Sequence, residues 1–206
     1  MFLCSHEGEQ HAEIVLIGTL TLLFEHSDVL AQNLLPALLA ARPNPSISDP
    51  SDVEKILSDS LKIIRSWDFE LQAQFIAGHP RIGETKKLSA LSSNEQSGDT
   101  SKPTPPEVLA RLAHLNACYE HVYPGLRYIT FVNGRSRAVI AEEMEDKLKT
   151  SHSLSPDQPS VESFIPVGKH SQEWFQELNR AVEDVGRIAQ NRLDKLSAEA
   201  GQEPPQ

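Results

Sequence analysis

Three clusters of side chains in this 206-residue chain have the types and spacing to do chemistry. The first is His79, set between Gly78 and Pro80 just past a stretch of helical pattern. Proline restricts the residue before it to extended geometry, so this imidazole has a fixed backbone. At the negative end of a helix it favours the imidazolium form, which suits a proton donor. Capping of helix carbonyls by the same histidine is the plainer alternative. The second cluster is Ser92-Ser93-Asn94-Glu95-Gln96. Ser-x-x-Glu and Ser-x-x-Gln are capping-box patterns, but Gly98 and the prolines from Pro103 leave little helix to cap. A carboxylate beside an amide also suits the hydrogen-bonding edge of a polar heterocycle, and both readings stand. The third is Arg192, at the edge of the apolar stripe Leu178, Val182, Val185, Ala189 and Leu196, whereas Arg180 and Arg187 point almost oppositely. A cation on a core-facing edge must be paired or must face an anion-accepting cavity. It therefore marks either an intramolecular salt bridge or an anchor for a polar ligand.

Other chemistries lack their signatures. There is no phosphate-binding Gly-rich loop, no Gly-x-Ser-x-Gly elbow and no His-Glu-x-x-His helix. His114 and His121 stand seven apart, a spacing that points to surface positions more than to a metal, and no cofactor is implied. Cys4 and Cys118 cannot form a disulfide framework; they read as a terminal and a core thiol in a reducing compartment. A formal net charge of -10 opposes binding to nucleic acid, and an anionic substrate would have to be met by specific Arg or Lys side chains. Ile14 to Phe24 is apolar but too short for a span and follows Glu7, Glu9 and Glu13, so it reads as a core helix and no membrane role is expected. The final Pro204-Pro205-Gln206 is not a peroxisomal tripeptide, and the expected location is intracellular, cytoplasmic or peroxisomal.

The elements that must position these residues are helices. From Asp52, with Ser51 as cap, Val53, Ile56, Leu57, Leu61, Ile64 and Trp67 make one amphipathic face. Phe69 to Ala77 forms a shorter helix stopped at Gly78-His79-Pro80. Val108, Leu112, Leu115, Tyr119 and Val122 make another stripe after Pro105-Pro106, and Ala138 to Leu148 and Trp174 to Leu196 complete the set. Leu126 to Val132 is rich in β-formers and ends at Asn133-Gly134, which predicts a short extended segment and not a sheet. Residues 97–106 and 150–172 are polar, aperiodic insertions, and 198–206 reads as a flexible tail. The expected fold class is all-α, one domain over 1–206.

In this order the motifs resemble those of the OHCU decarboxylase family, which acts on 2-oxo-4-hydroxy-4-carboxy-5-ureidoimidazoline. Phe24-Glu25-His26-Ser27, Arg42-Pro43, Gly78-His79-Pro80, Ser92 to Gln96, Leu115-Asn116-x-x-Tyr119, Gly134-Arg135-Ser136 and Arg187-Ile188-Ala189-Gln190-Asn191-Arg192-Leu193 follow one another as the family's elements do. The chain departs from the family at Arg81-Ile82-Gly83 and at Pro124 to Arg127. The resemblance implies an all-helical, cofactor-free and usually homodimeric enzyme. It implies His79 as the catalytic histidine with Pro80 beside it, catalytic roles for Glu95 and Arg192, and substrate contacts from Ser92, Gln96 and the backbone of Ile129, Thr130, Phe131, Val132 and Asn133. The substrate's own C=N bond, next to the carboxylated carbon, takes the electrons that other decarboxylases pass to a cofactor. A catalytically silent helical interaction module on the same scaffold, or a ureide hydrolase in which His79 and Glu95 activate water, are the alternatives.

Overall fold

The computed structural model describes residues 4–42, 47, 49–84 and 103–200. Among them are seven α-helices and no strand: α1 Cys4–Phe24, α2 Leu35–Ala41, α3 Pro50–Ser66, α4 Phe69–Ala77, α5 Pro106–Val122, α6 Arg137–Lys147 and α7 Gln172–Ala200. A π-helical turn, Leu30–Leu34, leads into α2, where Pro36 has no N–H to continue the regular ladder. A 3₁₀ turn covers Val161–Ser163. The all-α expectation and the absence of a strand at Leu126 to Val132 hold. None of the described helices is long and apolar enough to cross a membrane.

The helices start where short polar side chains can cap them. Asp68 accepts from the Leu71 amide at the start of α4, and Ser136 from Val139 at the start of α6. At α3 the expected cap was Ser51; the cap is Asp49, whose carboxylate accepts from the amides of Ser51 and Asp52. Pro50 explains the shift, since proline is favoured in the first helical turn and carries the helix two residues further back.

The chain divides into two compact units, residues 1–78 with 185–206 and residues 79–184. In the first, Leu16, Leu20, Leu23, Phe24, Leu34, Leu38, Ile56, Ile64, Phe75 and Leu193 form the core. Phe75 is central there, its ring edge-on to Phe24 at 5.9 Å and to Trp67 at 5.8 Å. In the second, α5 and α6 pack through Leu112, Leu115, Tyr119, Ile140 and Met144, with Trp174 and Leu178 of α7 also buried.

The aperiodic stretch from Thr150 to Gln172 is anchored to α5. Arg111, fully buried, pairs with Glu145 at 2.6 Å and donates to the carbonyls of Ser155 and Gln158. His114 meets the Pro159 carbonyl at 2.9 Å and His121 the Phe164 carbonyl at 3.1 Å, while the Val167 amide donates to Val122 O at 2.8 Å. The two histidines are therefore partly buried loop anchors, not surface positions. A loop without periodicity still presents carbonyls, and buried ring nitrogens satisfy them. Residues 97–102 lie outside the described residues.

Candidate active site

α4 ends where the Gly78 amide bonds back to the carbonyls of Gln74 and Phe75, each at 3.1 Å. Gly78 itself is right-handed, with φ -69°, so the left-handed freedom of glycine is not what this position needs. Space is. A Cβ here would lie 2.8 Å from Ser27 Cβ and 3.2 Å from Phe75 O, closer than packed carbons approach. His79 follows at once and is 6% exposed, its Nε2 shut off from solvent.

Of Phe24-Glu25-His26-Ser27, Phe24 ends α1 and the other three form the link that follows it. Glu25 is left-handed, φ 65°, a conformation that costs a non-glycine residue energy unless its surroundings hold it. Its carboxylate accepts from Arg192 Nη2 at 2.7 Å, and Arg192 Nη1 donates to the carbonyl of Leu22 at 3.1 Å. Arg192 is 2% exposed. The guanidinium thus covers carbonyls at the C-terminal end of α1, where a cation is favoured. Of the two readings of Arg192, the intramolecular ion pair is the arrangement found. Ser27 Oγ accepts from the Leu30 amide at 3.2 Å, so the turn that abuts Gly78 is pinned at both ends.

In the second unit, the turn after His79 is held on α5. Asn116 Nδ2 donates to Ile82 O at 2.9 Å, and Arg81 is clamped by Glu120 through Nε at 2.6 Å and Nη2 at 2.9 Å. At Gly83, φ 85°, a Cβ would lie 3.0 Å from the Leu112 side chain, a place where only glycine fits without strain. Arg127 donates to the carbonyl of His79 itself.

The segment beyond Arg127, neither helix nor strand, is held from its carbonyl side. Arg180 Nη1 donates to Ile129 O at 2.8 Å; Arg135 donates to Phe131 O, and to Val132 O at 2.9 Å. Among the described residues, the amides of Ile129 to Asn133 have no acceptor. Left-handed Asn133 (φ 47°) and Gly134 (φ 77°) close the segment. Arg180, expected to point away from the core, instead lies in a polar network: it bonds Glu177 at 2.7 Å and Asp184 at 2.8 Å and lies over the Tyr128 ring. The apolar stripe identified one face of α7 but not what the neighbouring face meets.

Glu177, 4% exposed, also accepts from Tyr119 Oη at 2.7 Å and pairs with Lys147 at 2.5 Å. Burial alone would raise this carboxyl; the bonds and charge of Arg180, then Lys147 and Tyr119, outweigh it and hold it below its ordinary 4.5. A carboxyl depressed on folding adds stability that is complete above its unfolded value and is lost as pH falls through the folded one. The urea midpoint is therefore expected to fall as pH drops below about 4.5, and Glu177→Gln is expected to flatten that acid limb while lowering stability near neutrality. Urea melts across this range check it; an acid limb of unchanged steepness in the variant would exclude Glu177 as a source.

Of the residues singled out in the sequence, His79, Pro80 and Ile129 to Asn133 fall in the second unit and Arg192 in the first. Ser92, Glu95 and Gln96 lie outside the described residues. Two of the side chains described above were not assigned from sequence, Glu25 in the first unit and Arg127 in the second. The signal for Arg127 was present: a cation flanked by Leu126 and Tyr128, in a run otherwise built for burial. Among the described residues no group of three or more His, Cys, Asp or Glu could hold a metal ion. Cys118 is a buried free thiol, as expected.

Residues 12–158 match the model of a family described as OHCU decarboxylase. The matched stretch takes in His79, Pro80 and Ile129 to Asn133 and stops short of Arg192. No curated protein matches the chain.

Proposed function

The chain belongs to the OHCU decarboxylase family, a family of carboxy-lyases in urate breakdown, and from that premise we propose that it converts 2-oxo-4-hydroxy-4-carboxy-5-ureidoimidazoline to (S)-allantoin without a cofactor. The observation that carries this reading is His79: buried, fixed before a proline at the end of α4, and inside the matched stretch.

The carbon–carboxylate bond breaks and carbon dioxide leaves; its electron pair forms a C=C bond to the ureido-bearing carbon as the π pair of the adjacent C=N bond moves onto nitrogen, which takes a proton. The enol that remains gives up its hydroxyl proton, and the ureido-bearing carbon gains one. His79 acts as the acid–base group that moves this proton, and delivery from one fixed face yields a single enantiomer. A carboxylate at Glu95 and an amide at Gln96 suit the hydroxyl and ring groups, with Ser92 in the same sequence motif. The amides of Ile129 to Asn133, which have no acceptor among the described residues, are donors for ring oxygens. Arg192 is spoken for by Glu25 and by α1 carbonyls; its part is to hold the turn that carries Ser27 against Gly78.

The test adds the protein to urate freshly oxidised and passed through the hydrolase step, and follows ultraviolet decay together with the optical activity of the product. Accelerated decay to one-handed allantoin is the expected result. Decay at the spontaneous rate, with racemic product, would leave the scaffold as an interaction module and remove the enzyme reading.

A further inference from the structure

The His79–Pro80 peptide is unusual in what it can offer a neighbour. Proline has no N–H, so the only polar group of that peptide plane is the carbonyl of His79. Arg127 takes it, through Nη1. Nothing about the local turn requires an arginine for this. A water or a backbone amide would satisfy a carbonyl at far lower cost than a half-buried guanidinium.

The rest of Arg127 makes the cost plain. Among the described residues its Nε is closed off from solvent and meets no hydrogen-bond acceptor, and no carboxylate bonds it. Two acids whose charge reaches it, Glu120 and Glu84, are engaged by Arg81 at 2.6 and 3.4 Å. Burial weakens the hold of Arg127 on its proton, and the positive charge of Arg81 adds to that effect. A cation kept in such a place by one carbonyl needs a reason beyond general stability.

Its mounting supplies one. Arg127 lies between Leu126, 2% exposed, and Tyr128, 5% exposed. The Leu126 amide is tied to Tyr123 O at 3.0 Å, and the Tyr128 ring stands edge-on to Tyr119 at 5.2 Å. The guanidinium is thus carried on a rigid piece of backbone that continues, two residues later, into Ile129 to Asn133.

We propose that Arg127 is a positioning residue for the reaction: by holding the carbonyl of His79 it fixes the backbone from which the imidazole projects, and keys that backbone to the segment whose amides face substrate. This rests on the reading of His79 as the acid–base group. Arg127 touches the histidine's main chain and not the reacting atoms, so its loss is felt in turnover more than in binding.

The experiment compares wild type, Arg127→Met and Arg127→Lys. Steady-state kinetics on the ureidoimidazoline are measured beside the Hε1 and Cε1 resonances of His79 in the protein without substrate. The methionine variant is expected to lose about 10- to 100-fold in kcat with KM within about threefold, and to show a broadened or doubled His79 resonance where wild type shows one sharp line. Added guanidinium is expected to restore part of the rate. Lysine keeps the charge but not the planar donor pair, so a smaller kcat loss with the same unchanged KM is expected.

A raised KM at unchanged kcat would make Arg127 a substrate ligand and overturn the proposal. Wild-type kinetics with a wild-type resonance in Arg127→Met would overturn it too. Should that variant fail to fold, Arg127→Lys decides alone: full activity and a sharp line there would count against the proposal. Wild-type protein that does not accelerate decarboxylation would reject the functional reading, while the His79 resonance would still judge the positioning claim.

Discussion

Replacing His79 with alanine is expected to leave the chain folded and to lower turnover by about 10²- to 10⁴-fold, the usual share of a well-placed acid–base group. The substitution is selective for a physical reason. The feature that anchors this position in the second unit is the carbonyl of residue 79, which alanine retains, so the bond from Arg127 survives while the imidazole is lost. Gly78 and Pro80, which shape the turn, are untouched. A cavity is left at a site only 6% exposed, and a melting temperature lower by a few degrees is consistent with that. The measurement is the ultraviolet decay of the ureidoimidazoline at saturating substrate, with circular dichroism as the check on fold. The optical purity of the allantoin gives a second reading: without a fixed proton donor, whatever product forms is expected to be racemic. Unchanged formation of one-handed allantoin in the variant would take the acid–base role away from His79.

The second large effect belongs to Arg192, and it falls on stability. Arg192 is 2% exposed, and its guanidinium satisfies Glu25 and the Leu22 carbonyl, at 2.7 and 3.1 Å. Arg192→Met keeps the length and apolar stem but leaves a largely buried carboxylate and helix-end carbonyls without their donor. Breaking one side of such a pair costs about 3–5 kcal/mol, which in a domain of this size lowers the melting temperature on the order of 10 °C. Glu25→Gln is expected to give a smaller loss, because the carbonyl bonds to Arg192 remain, and the double variant is expected to lose less than the two single losses summed. Kinetics on the folded fraction at low temperature separate this from a role at substrate. A melting temperature within a degree or two of wild type, with a strongly raised KM, would return Arg192 to the substrate.

The two variants draw on very different legibility in the sequence. α4 was readable to the residue, Phe69 to Ala77, because Gly78-His79-Pro80 ends it; its cap, Asp68, came from the structure. α3 was readable except at its start, where Asp49 and not Ser51 supplies the cap. His79 could be singled out because proline restricts the backbone of the residue before it and glycine marks a helix end, and such local signals are visible in a string of residues. Arg192 could be flagged as needing a partner, since a cation on a core-facing edge always does. Which partner was not visible. Glu25 lies 167 positions away and occupies a left-handed conformation that no local preference of glutamate announces.

Arg180 shows the same limit from the other side. Helical period placed it opposite the apolar stripe, yet it sits with Glu177 and Asp184, three and four residues away on its own helix, and reaches the carbonyl of Ile129. The loop from Thr150 to Gln172 looked like a polar insertion because it has no period. Its order comes from Arg111, His114 and His121, side chains on a helix some forty residues earlier.

What the amino-acid sequence determined by itself was governed by short range: the spans and stops of α3 to α7 to within a few residues, the lack of a strand before Asn133, the residue types able to move a proton, and the order of motifs that places the chain in its family. Tertiary structure alone decided which polar groups meet. Arg127 came to hold the carbonyl of His79, Arg192 to close on Glu25, and Ser27 to press on Gly78. Pairings of this kind depend on the approach of segments far apart in the chain, and a buried charge or carbonyl accepts whichever complementary partner the packing of apolar faces brings within about 3 Å.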